Sequence, residues 1–373
     1  MRWVLASFAM IEPEPLRQVN RTWVIWRGKR YSYFSGCDYF RLSSHPAVLR
    51  AAREGLKRLG LNVAASRLTT GNHALYGRLE TELADFFGAQ SAVLVPAGYL
   101  APLAAAQALA GHFSHALVDE QSHPALREAA TALDCPVLKF THRDPADFGR
   151  ALTRCGRGAR PIALTDGMFP IDGAVAPLRE YLPLLPADGG ILVDDAHGAG
   201  LLGAHGRGTP EAEGVGHDRI VHCISLSKAL GVFGGAVLGS RELRSRIISR
   251  SRVFAGGTPL PLPLAGAVRA SLRILNRDRS IRKRLTGNVE FVKSALRETG
   301  WDLGNAASPI IPLEVKSRPA VFRLRRRLLA ARIYPPLVHY PGTPAGGCFR
   351  FVISSEHTRA QLGNLVEVLL RMR

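Results

Sequence analysis

The chain has 373 residues, 46% hydrophobic and 21% charged, a composition that excludes a largely disordered protein and allows two globular domains. Lys and Arg number 49 against 30 Asp and Glu, and this net charge of +19 suits nucleic acid, anionic lipid or a phosphate-bearing substrate as partner. No apolar run approaches the ~20 residues that span a bilayer, and five scattered cysteines without C-x-x-C spacing predict free thiols in a cytoplasmic protein, with no metal site.

The predicted elements begin with an arm, residues 1–44, that contains a β-hairpin at 22–33. Helices are predicted at 47–59 and 74–87, and short apolar strands then alternate with helices. These strands are predicted at residues 92–95, 116–119, 137–140, 161–165, 191–194 and 221–225. The alternation predicts an α/β domain over residues 45–255, built on a mostly parallel sheet with helices on both faces.

The pattern changes after residue 255, where a Gly- and Pro-rich break occupies 256–263. The elements beyond it are fewer and mix helices with isolated strands. Helices are predicted up to residue 273 and at 280–299, 320–331 and 357–372, with strands at 310–315 and 349–353. Residues 256–373 are therefore predicted to form a smaller α+β domain.

One predicted buried strand ends in a carboxylate, and a lysine follows the next. Asp194 ends one apolar strand and His197 follows it, while Lys228 comes just after the next strand. A buried carboxylate is costly unless it is paired, and a protonated pyridine nitrogen would be such a partner. A lysine amine is the group that bonds covalently to the aldehyde of pyridoxal phosphate (PLP), so these residues suit that cofactor. Asp195 is expected to point to the opposite face, because strand neighbours alternate.

A phosphate site is predicted where a strand, a glycine and a helix follow one another. Ala97, Gly98 and Tyr99 stand at such a junction, and the start of a helix offers backbone donors to an anion. The hydroxyls of Ser225 and Ser227 could bind the same phosphate.

His123 follows the strand that ends at Asp119 and allows two interpretations. Its ring could stack on a planar cofactor. Alternatively, Ser122 caps the next helix and the histidine is incidental.

Taken together, these residues resemble the α-oxoamine synthase family, whose members are PLP-dependent enzymes of fold type I. The resemblance runs from residue 38 to 358 and is most specific at 192–208 and 225–240. It implies that Lys228 holds the cofactor and transfers protons, and that Asp194 partners the ring nitrogen. It also implies that His197 contacts the ring oxygen and that His123 stacks on the ring.

The resemblance implies further partners for the site. Gly98, Tyr99 and Ser225 would hold the phosphate, and Thr258 would reach the phosphate of the neighbouring subunit in a homodimer with a shared active site. Arg350 would bind the carboxylate of an amino acid, a role that suits its bidentate fork. The implied reaction condenses that amino acid with an acyl-CoA or acyl-carrier-protein thioester and releases carbon dioxide, as in biotin biosynthesis.

The chain departs from the family pattern around the substrate. Cys37 stands where the family has an asparagine that orients the substrate, and Pro170 stands where it has a serine. The segment 340–344 differs as well. These changes leave a second interpretation open, a PLP-dependent aminotransferase or lyase on the same scaffold. A third, of a different class, is a basic protein that binds nucleic acid or an anionic membrane. No helix-turn-helix, RNP or zinc-finger pattern supports it, and the expected partners include neither nucleic acid nor a membrane.

Overall fold

The computed structural model describes residues 14–298, 300, 301, 303, 308–315, 317–339 and 347–372; the departure at 340–344 lies outside these ranges. The helices of the described chain are α1 Pro46–Leu59, α2 Ala74–Phe87, α3 Ala101–Leu109, α4 Pro124–Thr131, α5 Pro145–Arg154, α6 Leu178–Tyr181, α7 Thr209–Ala212, α8 Arg241–Arg250, α9 Arg252–Gly256, α10 Leu262–Arg277, α11 Arg279–Arg297, α12 Arg318–Ala330 and α13 Arg359–Leu370. The strands are β1 Arg17–Asn20, β2 Trp23–Trp26, β3 Lys29–Ser32, β4 Ser91–Val95, β5 His115–Asp119, β6 Val137–Phe140, β7 Pro161–Asp166, β8 Gly190–Asp194, β9 Ile220–Ser225, β10 Gly235–Gly239, β11 Ile310–Glu314, β12 Leu337–Val338 and β13 Cys348–Val352.

A seven-stranded sheet forms the centre of the fold, in the order β4-β10-β9-β8-β7-β5-β6. Strands β5 to β9 pair in parallel, which confirms the predicted α/β architecture. Strand β10 is antiparallel to both β4 and β9 and was not predicted. Its segment is bounded by glycines and follows a glycine-rich turn, a composition that usually disfavours a strand.

Histidines begin several of the helices. The Nδ1 atoms of His45, His73 and His123 each accept a hydrogen bond from the backbone two residues further on. Proline follows two of these histidines, at the first helical position, where its missing N–H has no intrahelical partner to lose. These caps fix where α1, α2 and α4 leave the preceding loops.

The N-terminal arm folds back on the end of the chain. Its three strands form an antiparallel sheet, and Ser32 at the end of β3 pairs with Ile333. A second antiparallel sheet, β11-β13-β12, belongs to the C-terminal region. One apolar core cluster includes Phe34 of the arm, Leu272 of α10 and Phe349 of β13. The division at residues 44 and 255 stays a prediction. No helix of the described ranges is both long and apolar enough to cross a membrane.

His357 ties the arm to the C-terminal region. It is buried, its Nδ1 accepts from the Ser354 backbone at 2.9 Å, and its Nε2 donates to the Tyr33 carbonyl at 3.0 Å. Its ring stacks on Phe34 at 4.2 Å between centroids. Burial, assisted by the positive charge of Arg41, lowers the pKa of His357 to about 3. The folded protein therefore holds a neutral imidazole here.

We expect this histidine to make the fold acid-sensitive. The unfolded His357 has a pKa of about 6.5, so below that pH the unfolded state binds more protons and stability falls as the pH drops toward 3. The contribution lost by pH 5 is about 2 kcal/mol. Urea unfolding at pH 7 and pH 5 measures it, with His357→Gln as the non-titrating reference. Equal losses in the wild type and this variant would contradict the assignment.

Candidate active site

The carboxyl ends of the parallel strands bring the predicted residues to one edge of the sheet. Asp194 is the last residue of β8 and is only 6% exposed. The half-buried Lys228 lies in the loop between β9 and β10. Burial raises the pKa of Asp194, while electrostatic interactions with Lys228 and His123 act to lower it. The predicted carboxylate and lysine therefore lie within electrostatic reach of each other.

A second carboxylate, missed by the sequence analysis, stands beside the first. Asp166 ends β7, pairs with Asp194 across the two strands and is 3% exposed. Burial, and then the neighbouring Asp194, raise the pKa of Asp166 well above its usual range. Two like charges this close disfavour joint ionisation, and the nearby cations favour Asp194 as the ionised member. Its position at the end of a buried strand was the available signal.

His123 caps α4 with its own side chain, since Nδ1 accepts from the Ala125 backbone at 3.2 Å. The alternative that Ser122 is the cap is wrong; Ser122 is buried and donates to the Leu164 carbonyl. The His123 backbone N–H donates to Asp166 at 2.8 Å. The histidine ring is thus held over the same edge of the sheet as Asp194.

The segment that leads into α3 passes close to two serines. Gly98 in this segment lies beside Ser225, which contacts Ser227. The Ser225 and Ser227 hydroxyls lie 2.8 Å apart. A methyl group at position 98 would lie 2.7 Å from the Ser225 hydroxyl oxygen, and one at Gly235 would lie 2.7 Å from the Gly98 Cα. Only glycine permits this close approach. The result is a small cradle with two hydroxyls and a helix N-terminus, a donor set that fits a phosphate.

Ala97 and Tyr99 flank this cradle. Ala97 is extended and precedes the short 3₁₀ turn Gly98–Leu100. The Tyr99 side chain is 43% exposed and donates to Glu128 at 2.8 Å. Its ring contacts that of His123 edge-on, at 5.8 Å between centroids. Tyr99 therefore packs beside the predicted stacking residue in the described chain.

Arg350 and Cys37 lie together, although 313 residues separate them. Arg350 is a buried residue of β13, and both of its terminal nitrogens lie 3.7 Å from the Cys37 sulfur. Its Nε donates to the Pro170 carbonyl. The two departures from the family pattern thus flank the predicted carboxylate-binding arginine.

His197 is buried next to a residue to which the sequence analysis assigned no role. Its Nδ1 lies 2.7 Å from the hydroxyl of Tyr39. Burial, and then the charges of Lys228 and Arg350, lower the pKa of His197 well below its usual value. His197 is therefore neutral and lies within electrostatic reach of both the lysine and the arginine.

Asp195 points away from this group, as predicted. It accepts from the Thr209 backbone at 2.8 Å and hydroxyl at 2.6 Å, and it pairs with the buried His222 at 2.8 Å. Thr258, by contrast, is exposed between α9 and α10, and its predicted contact with a neighbouring subunit stays a prediction. Within the described ranges, no cluster of three or more His, Cys, Asp or Glu side chains could hold a metal ion.

Known proteins that are similar in sequence to this chain indicate the same kind of site. Residues 36–369 match the family model for aminotransferase class I and II. The chain is 36% identical to an 8-amino-7-oxononanoate synthase of Methylococcus capsulatus, over 90% of this chain and 87% of the relative. The synthase of Thioalkalivibrio sulfidiphilus is 34% identical over 92% and 88%.

Among solved structures, serine palmitoyltransferase with PLP superposes with a TM-score of 0.88 at 25% identity, covering 95% of this chain and 90% of that chain. The sequence relatives and the fold therefore indicate the same kind of enzyme as the group formed by Lys228, Asp194 and His197. The chain belongs to the aminotransferase class I and II family of PLP-dependent enzymes, and within it to the α-oxoamine synthases.

Proposed function

We propose that this enzyme condenses an amino acid with an acyl thioester, releasing carbon dioxide and free thiol and yielding an α-amino ketone. The observation that carries the proposal is the position of the buried Arg350 beside Cys37 and the Pro170 carbonyl, where its charge, like that of Lys228, lowers the pKa of the buried His197. A proton-transferring amine and a carboxylate-binding fork therefore both lie near one buried histidine. The two sequence relatives, both 8-amino-7-oxononanoate synthases, favour this reaction.

The residues at the sheet edge fit the cofactor. Lys228 would hold PLP covalently, and Asp194 would keep a proton on the ring nitrogen. His123 would stack on the ring and His197 would contact its oxygen. The phosphate would lie in the cradle, held by the hydroxyls of Ser225 and Ser227 and by the backbone of residues 97–99. When bound, PLP supplies an electron sink for the carbanion that forms at the amino acid α-carbon.

The chain's own groups direct the remaining steps. Arg350 binds the substrate carboxylate through its fork, and Lys228, whose amine is freed when the substrate amino group takes its place, removes the α-proton as a general base. Asp194 and His197 are buried, which strengthens the interactions of these two side chains with charge. The α-carbon attacks the thioester carbonyl and the thiolate leaves. The carboxylate then departs as carbon dioxide, and the electron pair that it leaves on the α-carbon takes up a proton.

We propose two further features of the assembly. The exposed Thr258 would contact the phosphate of a second copy, so that a homodimer would share its active sites. The basic surface suits CoA or an acidic acyl-carrier protein as the carrier of the acyl group. A cytoplasmic location remains a prediction of the sequence.

L-alanine and pimeloyl-CoA are the substrates for the direct test. Release of free thiol together with carbon dioxide, in equal amounts, is the expected result. Transfer of the amino group to a keto acid without release of thiol would identify an aminotransferase instead. Thioesters of increasing length, on CoA and on carrier protein, would then define the acyl group.

We expect Arg350→Lys to weaken binding of the amino acid. Lysine retains the charge but loses the planar fork that binds a carboxylate through two parallel bonds. The KM for the amino acid should rise about tenfold to a hundredfold, equivalent to about 1.4–2.8 kcal/mol, with the KM for the thioester unchanged. Steady-state kinetics with Arg326→Lys, an exposed arginine of α12, as the control measures this. An equal rise of this KM in both variants would show that Arg350 does not bind the substrate.

A further inference from the structure

Tyr39 lies between the arginine and the histidine of the site. Its side chain is fully buried. Its backbone N–H donates to the Cys37 carbonyl at 2.9 Å, and its own carbonyl accepts from the Ser355 backbone at 3.0 Å. The main chain of Tyr39 is therefore held by both its N–H and its carbonyl, and its hydroxyl lies beside His197.

Three side chains surround the Tyr39 hydroxyl. Nδ1 of His197 lies 2.7 Å away, and the Cys37 thiol and the Arg350 guanidinium also interact with the phenol. Burial raises the pKa of Tyr39 well above its usual value of 10. The phenol therefore keeps its hydrogen at neutral pH, and that hydrogen needs an acceptor.

The chemistry of these neighbours leaves one good acceptor. A guanidinium carries donors only, and a thiol sulfur accepts weakly. The Nδ1 atom of a neutral imidazole accepts strongly when it carries no hydrogen, and His197 is neutral. The Tyr39 hydrogen therefore goes to Nδ1, and the single ring hydrogen of His197 is carried by Nε2.

We propose that Tyr39 is a positioning residue that holds His197 in the tautomer with its hydrogen on Nε2. This proposal deepens the proposed function, on which it rests for the statement that His197 faces the ring oxygen of PLP. In this tautomer the histidine presents a donor to that oxygen and holds one orientation. Without the tyrosine hydroxyl, nothing in the described surroundings of Nδ1 would select that tautomer.

Nitrogen NMR tests the proposal directly. The holoenzyme would be labelled with ¹⁵N at its 12 histidines, and the His197 signals assigned from their loss in His197→Gln. In the wild type, Nδ1 is expected at the shift of an unprotonated acceptor nitrogen and Nε2 at that of a protonated one. In Tyr39→Phe, a signal from protonated Nδ1 should appear, and kcat should fall while the KM for the thioester stays unchanged.

The matched control is Tyr181→Phe, which removes a buried hydroxyl that has no hydrogen-bond partner within the described chain. It should leave the His197 signals and the kinetics unaltered. A hydrogen on Nδ1 in the wild type would overturn the proposal even if Tyr39→Phe failed to fold, as would unaltered His197 signals in a folded Tyr39→Phe. The same spectra should also be recorded on the PLP-free protein, because the hydrogen bond from Tyr39 to His197 needs no cofactor. They therefore test the tautomer of His197 even if the proposed function is wrong.

Discussion

Replacing Lys228 with alanine is expected to abolish the visible absorbance that borohydride removes from PLP held covalently by the native enzyme. Lys228 is half-buried in the loop after β9. Its charge shifts the pKa values of Asp194, His123 and His197. Loss of the Lys228 amine would also remove the proposed general base, so turnover should fall by roughly 10²–10⁴-fold. Absorbance spectra before and after borohydride, with an assay of thiol release, measure both effects.

Lys57→Ala is the matched control, since Lys57 is an exposed lysine of α1. It should retain both the absorbance and the turnover. Mass spectrometry of the borohydride-treated wild type should place the PLP on the peptide that contains Lys228. Survival of the absorbance in Lys228→Ala, or a modified peptide elsewhere in the chain, would show that another amine holds the cofactor.

Asparagine at position 194 should slow exchange of the amino acid α-proton by about 10²–10³-fold, the usual cost of removing one aligned electrostatic partner. The substitution keeps the shape of the side chain but removes its charge, so the ring nitrogen would lose the group proposed to stabilise its proton. The buried site makes this loss large, because water cannot replace the carboxylate. Proton NMR of L-alanine in D₂O follows the exchange without requiring the thioester.

Asp188→Asn provides the comparison, because Asp188 is an exposed aspartate outside the site. It should exchange the α-proton at the wild-type rate. PLP binding by Asp194→Asn should be checked in parallel, so that slow exchange is measured on loaded enzyme. A loaded Asp194→Asn enzyme with wild-type exchange would exclude the role proposed for this carboxylate.

The sequence predicted the part of the site that depends on local pattern. Short apolar strands alternating with helices place their carboxyl ends at one edge, so Asp194 and Lys228 could be expected to meet. Alternation along the strand also predicted, correctly, that Asp195 faces the other way. The order of the strands, and the antiparallel β10 beside β9, could not be predicted because they depend on pairing between distant segments.

The missed residues show the same limit. Tyr39 contacts a histidine 158 residues away, and no periodicity near position 39 indicates that partner. Asp166 stands at the end of a buried strand, as Asp194 does, yet its importance becomes visible only when β7 is seen beside β8. The convergence of Cys37 and Pro170 on Arg350 is likewise a property of the folded chain.

The hairpin formed by β9 and β10 restricts how Lys228 can vary its position. Lys228 lies in a loop whose two ends are held together, because Ser225 at the end of β9 pairs with Gly235 at the start of β10. Slipping β10 by one residue would turn the buried side chain of Val237 toward the opposite face, and would move Gly235 away from Gly98. A residue inserted between Ser225 and Gly235 would consequently have to bulge outward from the loop. The length of this loop is therefore as constrained as the identity of its lysine.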